Sequence, residues 1–205
     1  IDNASQFTHN GRTAEVIGGT AVPVREGESH AIYNHTDKET RFFNFNVTEP
    51  DKPADAFDFG DDRANAQLES IDRLPIGRFD RNLLTYKNLH GGKGLVGFRV
   101  IWDWRDFRNN YGYLVHCLIP SGASIGYHRH DGMEEAYVIM NGNGKVTANG
   151  KTENICPYDV ILFQLGEAHG IYNNTQDELE IFAVSVCMEK GKLDVTELNN
   201  NLVDS

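Results

Sequence analysis

A chain of 205 residues with 40% hydrophobic and 10% aromatic residues is globular in composition, and long enough for one substantial core and parts of a second. Its net charge of −11 argues against nucleic acid and anionic membrane as partners, because both present phosphate-rich surfaces. No apolar run approaches the roughly 18 residues that a membrane-spanning helix needs. The cysteines Cys117, Cys156 and Cys187 stand at unrelated spacings, which indicates free thiols of a reducing, cytoplasmic compartment rather than a disulfide framework.

From the N-terminus, the first elements are β-prone runs joined at Asn10-Gly11, a strong short-range hairpin signal. They are followed by EGESHAIYN at 26–34, which contains His30. Residues 48–75 are polar and acidic, with a weak helical period over 62–72, and are expected to link two β regions. The run 99–113 carries Trp102, Trp104, Arg105 and Arg108, read either as a strand and loop that cover one end of a barrel or as a cationic, aromatic lip for an anionic substrate. Short runs rich in β-branched and aromatic residues then recur at 113–119, 135–140, 159–165 and 179–186, separated by Gly, Asn and Pro. A second Asn-Gly pair, Asn149-Gly150, predicts another hairpin, and LGEAHGIYN at 165–173 supplies His169. The pattern predicts an all-β protein with a complete barrel over 76–190 and a tail over 191–205.

The two nine-residue phrases belong to a longer repeat. Offsetting the chain by 139 residues aligns 8–47 with 147–186, and 14 of these 40 positions are identical without a gap. Duplication is the natural reading. The chain begins at Ile1, the position equivalent to Met140, so the strands that would precede the first copy fall outside this sequence. The expectation is therefore a partial N-terminal repeat over 1–47. Its missing front, with any signal peptide, would precede Ile1.

Only the second copy is preceded by a dense set of donors, in GASIGYHRHDGMEEAYVIMNGNG at 122–144. Two histidines separated by one residue, His128 and His130, point to one face of a strand because side chains alternate. Glu134 or Glu135 opens the next strand, and His169 follows on the pair that folds back across it. Three imidazoles and a carboxylate suit Fe, Mn, Ni, Cu or Zn, and in a six-coordinate ion they leave two positions open for substrate, water or O₂. Alternation puts Tyr137 on the face of Glu135, with Phe163 or Gln164 and Phe182 as further wall candidates, and turns Arg129 outward. His30 has no such companions and is expected to be a structural remnant held by hydrogen bonds. His9, His35, His90 and His116 are read as ordinary, with His116 able to reach the barrel interior.

The spacing Gly122-x5-His128-x-His130-x4-Glu135-x6-Gly142 resembles the first motif of the cupin superfamily, and Tyr158-x5-Gln164-x-Gly166-x2-His169-x3-Asn173 resembles its second. Tyr158 and Gln164 depart from the usual Gly and Pro, at positions that carry no ligand. Gly19-x5-Arg25-x-Gly27-x2-His30-x3-Asn34 resembles the second motif again. The resemblance implies a double-stranded β-helix (jelly-roll) barrel, with part of a related barrel in front of it. It also selects Glu135 over Glu134, giving a metal set of His128, His130, Glu135 and His169, with Glu135 and Tyr137 as catalytic residues. The implied activity is metal-dependent chemistry on a small polar molecule, with Fe(II)-dependent oxygenation placed first and Mn, Ni or Zn as the other metals. Non-redox lyase, decarboxylase or isomerase chemistry and a non-catalytic binding module are the alternatives, and the expected partners are a small-molecule substrate and a second copy of the chain.

Overall fold

A computed structural model describes residues 3–48, 56–58, 60 and 66–203. The described elements are β1 (Ser5–His9), β2 (Arg12–Val16), β3 (Thr20–Ala21), β4 (His30–Tyr33), β5 (Gly77–Arg78), β6 (Thr85–Lys87), β7 (Val96–Asp103) and β8 (Tyr111–Ile119). They continue with β9 (Ser124–Arg129), β10 (Met133–Asn141), β11 (Gly144–Ala148), β12 (Lys151–Ile155), β13 (Val160–Phe163), β14 (Ala168–Tyr172), β15 (Leu179–Cys187) and β16 (Thr196–Asn200). Helix among the described residues is confined to single 3₁₀ turns at Ile71–Arg73 and Arg81–Leu83, so the all-β expectation holds. The chain divides into two compact units, Ile1–Asp80 and Arg81–Ser205.

In the second unit a six-stranded sheet runs β13-β10-β15-β8-β7-β6 and a five-stranded sheet runs β12-β11-β14-β9-β16, with antiparallel pairing throughout. Alternation explains why these strands face each other. Val115, Cys117 and Ile119 of β8 point inward with Leu179, Ile181 and Ala183 of β15, and meet Ile125, Val146 and Ile171 from the other sheet in one buried core. Each fully buried Val, Leu or Ile contributes about 1.5–3 kcal/mol. This is the double-stranded β-helix that the motif spacing implies.

Alternation also corrects two expectations. His116 and Phe182 are directly opposite in register and occupy the face away from this core. His116 Nε2 lies 2.7 Å from Glu180 Oε1, whose carboxylate also accepts from Arg81 Nη2 at 2.6 Å. Neither His116 nor Phe182 lines the interior. The residues beyond 190 are not merely a tail, because β16 pairs with β9 and ends the five-stranded sheet.

The first unit reproduces part of the second, hydrogen bond by hydrogen bond. Its sheet order β2-β1-β4 matches β12-β11-β14. Asn10 and Gly11 have φ of 49° and 79°, and Asn149 and Gly150 have φ of 46° and 76°, the left-handed pair that a type I′ hairpin requires. Asn10 Oδ1 accepts from Ser29 N at 3.0 Å as Asn149 Oδ1 accepts from Ala168 N at 3.1 Å. The asparagines after each motif histidine brace their turns as expected: Asn34 Oδ1 accepts from Thr36 N at 3.1 Å, and Asn173 Oδ1 from Thr175 N at 3.0 Å. The stretch aligned with β15, residues 40–47, forms no strand. Much of the acidic link falls outside the described residues, as do residues 62–65 of the weak helical period. Over 66–72 the expected helix is replaced by extended chain and the start of the 3₁₀ turn at Ile71–Arg73. The end of the link is structured, with Ile71, Leu74 and Ile76 packing on Ala14 and Val16. Among the described residues no helix is long and apolar enough to cross a membrane.

Candidate metal centre

Three elements of the second unit bring the predicted donors together. β9 carries His128 and ends at Arg129, so His130 projects from the turn just beyond it; β10 carries Glu135 and β14 carries His169. His169 sits opposite His128 in the β14–β9 register. One donor atom from each of His128, His130, Glu135 and His169 lies within 4.8 Å of the others. All four residues are buried, none more than 4% exposed. Glu134 lies on the opposite face of β10, so the cluster takes Glu135.

Each imidazole is oriented through its other nitrogen. The Nδ1 atoms of His128 and His169 lie 2.8 Å and 3.2 Å from the carbonyls of Gly126 and Glu167, and Nδ1 of His130 contacts the carbonyl of Asp194. A hydrogen bond at Nδ1 aims Nε2 into the cluster, the arrangement that orients histidines toward an ion. His169 Nε2 lies 2.9 Å from Glu135 Oε2. His130 Nε2 is buried with no hydrogen-bond partner, and Glu135 Oε2 is 3.8 Å from it. A buried ring nitrogen left without a partner is costly. The donor set, its spacing and this orphaned lone pair all fit a divalent first-row metal.

The surrounding groups tune the carboxylate. Tyr113 donates to Glu135 Oε1 at 2.6 Å, leaving Oε2 as the atom facing the histidines. Burial alone would raise the Glu135 carboxyl, but hydrogen bonding and charge from His169, with the Tyr113 hydroxyl, hold it below its ordinary value. Burial, and then the Glu135 charge, keep Tyr113 and Tyr137 well above the usual phenol range, so both remain protonated donors. His128 is pushed down to about 3 by burial and then by His169 and His90. His130 is lowered as well, chiefly by burial. Neutral imidazoles at physiological pH are what metal ligation requires.

The remaining candidates fall into place around this set. Tyr137 points inward, edge-on to Phe163 at 5.0 Å and to His169 at 5.6 Å, and Phe163 stacks on His169 at 4.0 Å with an interplanar angle of 5°. Gln164 is exposed, and Arg129 turns outward to pair with Asp131 at 2.9 Å. His30 is exposed, with its ring beside Phe7 at 6.4 Å, so ring contact rather than a hydrogen bond holds it. Trp102 packs edge-on to Phe107 at 6.1 Å, and Arg105 is paired with Asp103 at 2.6 Å.

Sequence reasoning missed three residues: Tyr113, Asp194 and His90. His90 stacks on His128 with ring centroids 3.9 Å apart and an interplanar angle of 18°. It lies on a loop docked against β9, where Gly126 N donates to Leu89 O at 3.0 Å. A Cβ on Gly126 would fall 1.9 Å from His90 O and 2.6 Å from Gly92 N. Gly126→Ala is therefore expected to destabilise the unit by about 2–3 kcal/mol or more, read as a lower urea midpoint. An unchanged midpoint would show that the loop yields freely.

The second unit is similar to known proteins. The family model for the cupin domain matches residues 115–185. An oxalate-binding protein of Thermotoga maritima is 34% identical over 101 residues, 49% of this chain and 84% of that protein. The crystal structure of a predicted oxalate decarboxylase from Thermotoga maritima is 32% identical with a TM-score of 0.50, covering 53% of this chain and 96% of the other.

Proposed function

Because this chain belongs to the cupin superfamily, we propose that its second unit is a metal-dependent enzyme that cleaves the carbon–carbon bond of a small carboxylic acid of the oxalate type. The observation that carries this reading is the convergence of four buried donors with one imidazole nitrogen left unpartnered among them. The substrate class is supported by the Thermotoga maritima likenesses, described as an oxalate-binding protein and as a predicted oxalate decarboxylase. Three imidazoles with a hard carboxylate suit Mn(II) or Fe(II), with room for two oxygen donors of a substrate. A bound ion would supply Lewis-acid polarisation of the substrate oxygens.

The chain's own residues do the rest. His128, His130 and His169 offer Nε2, and Glu135 offers Oε2 while Tyr113 holds Oε1. The Tyr137 hydroxyl, kept protonated by burial, serves as a donor that orients a substrate oxygen, and Phe163 excludes water beside His169. For oxalate the reaction balances as C₂O₄²⁻ + H⁺ → HCO₂⁻ + CO₂: the carbon–carbon bond breaks, one carbon leaves as CO₂, and the other keeps the electron pair and takes the proton.

The test is to incubate the metal-loaded full chain with oxalate while following formate, CO₂ and dissolved O₂. Equimolar formate and CO₂ without net O₂ uptake, lost in His128→Ala, is the expected result. Stoichiometric O₂ uptake with two CO₂ and peroxide would mark oxidase chemistry, the oxidoreductase alternative. Saturable oxalate binding without turnover would mark a binding module.

A further inference from the structure

The C-terminal segment reaches back to the histidine pair in two places. Asp194 acts with both of its polar parts. Its carbonyl accepts from His130 Nδ1, and its carboxylate accepts from Asp131 N at 2.7 Å and Gly132 N at 3.0 Å, the two residues that follow His130. One residue thus fixes both the ring of His130 and the turn that carries it. The approach is close, since a Cβ on Gly132 would lie 3.1 Å from Asp194 Oδ1. Three residues on, Glu197 of β16 stands opposite His128 in register, and its carboxylate lies 2.9 Å from His90 Nδ1. His90 is the ring stacked on His128. Ser124 Oγ ties the two sides of β9 together, donating to Asn201 O at 2.6 Å and accepting from Lys93 N at 2.8 Å.

β16 is exposed at all five positions, so its own side chains bury almost nothing; Leu202, 2% exposed, is its apolar anchor. A segment that adds so little to the core, yet places Asp194 on the buried His130 and Glu197 on the half-buried His90 that stacks on His128, is better explained by what it holds than by what it buries.

We propose that residues 191–203 form a positioning clamp for the metal centre, with Asp194 setting His130 and Glu197 setting His128 through His90. The proposal rests on the metal reading above. Its test is to titrate Co(II) into the metal-free full chain and into Asp194→Ala and Glu197→Gln, recording the visible d–d spectrum and the apo melting temperature. Loss of a group that orients a ligand lowers metal affinity about ten- to hundredfold. Asp194→Ala keeps the carbonyl that meets His130 Nδ1 but removes the carboxylate that holds the Asp131–Gly132 turn. It should show a fall of about tenfold with an altered Co(II) band, and the exposed Glu197→Gln a smaller fall in the same direction, with its apo melting temperature little changed. Should Asp194→Ala fail to fold, Glu197→Gln decides alone. Wild-type affinity and an unaltered band in the variants would overturn the clamp while leaving the metal centre intact. Absence of Co(II) binding by the wild-type chain would overturn the metal reading and the clamp with it.

Discussion

Glu135→Gln is expected to abolish tight metal binding while leaving the metal-free protein folded. Glu135 is the only carboxylate in the cluster, buried among three imidazoles. Loss of a group that only orients a ligand lowers metal affinity about ten- to hundredfold, and loss of the one charged ligand is expected to cost about a hundredfold or more. The metal-free protein should respond quite differently. Glutamine keeps the shape of glutamate, can accept from Tyr113 through its oxygen, and can turn its amide toward His169 Nε2. The comparison therefore separates ligation from folding. The melting temperature gained on adding Mn(II), which mass action ties to affinity, should vanish in the variant while the apo melting temperature moves little. A variant that keeps the full metal-dependent gain would show that Glu135 is not a ligand.

The metal-free protein is also expected to lose stability steeply as pH falls below neutrality. His128 titrates at about 3 when folded, against 6.5 in the unfolded chain, because burial and its histidine neighbours disfavour its charged form. As pH drops through 6.5 the unfolded chain takes up a proton that the folded chain refuses. The contribution is therefore fully present above 6.5 and is lost progressively toward 3. At about 1.4 kcal/mol per pH unit, this one residue accounts for about 3 kcal/mol between pH 6.5 and 4.5. His130, also lowered, adds in the same direction. Urea unfolding of the apo protein across pH 8 to 4.5 measures the slope, and His128→Gln should flatten it. A wild-type profile that stays level from pH 7 to 5 would contradict the burial of neutral imidazoles.

How much of this was legible in the sequence depends on how local each signal is. The metal set was legible because its spacing is set by neighbouring strands. His128 and His130 share a face by alternation, and the resemblance to the two cupin motifs added Glu135 and His169 to them. The hairpins were legible because Asn-Gly is one of the few pairs that take two successive left-handed residues readily. The same alternation, applied to β8, places Tyr113 inside with Val115 and Cys117 and His116 outside, so those two positions were readable in principle. His90 and the C-terminal strand were not readable. His90 reaches the site from a loop whose docking depends on glycine contacts across β9, and TELNN has no apolar alternation because all five positions are exposed. Pairing at the free edge of β9, rather than a hydrophobic pattern, defines that strand.

One metal ion held by His128, His130, Glu135 and His169 is the premise on which the chemistry of this protein turns. The most direct measurement is elemental analysis of the full chain purified without chelator, alongside His128→Ala prepared in the same way. About one equivalent of Mn or Fe per chain is expected in the wild type, with a loss of nearly all of it when one of the four ligands is removed. A wild-type protein without metal, or equal metal in the two proteins, would contradict the assignment.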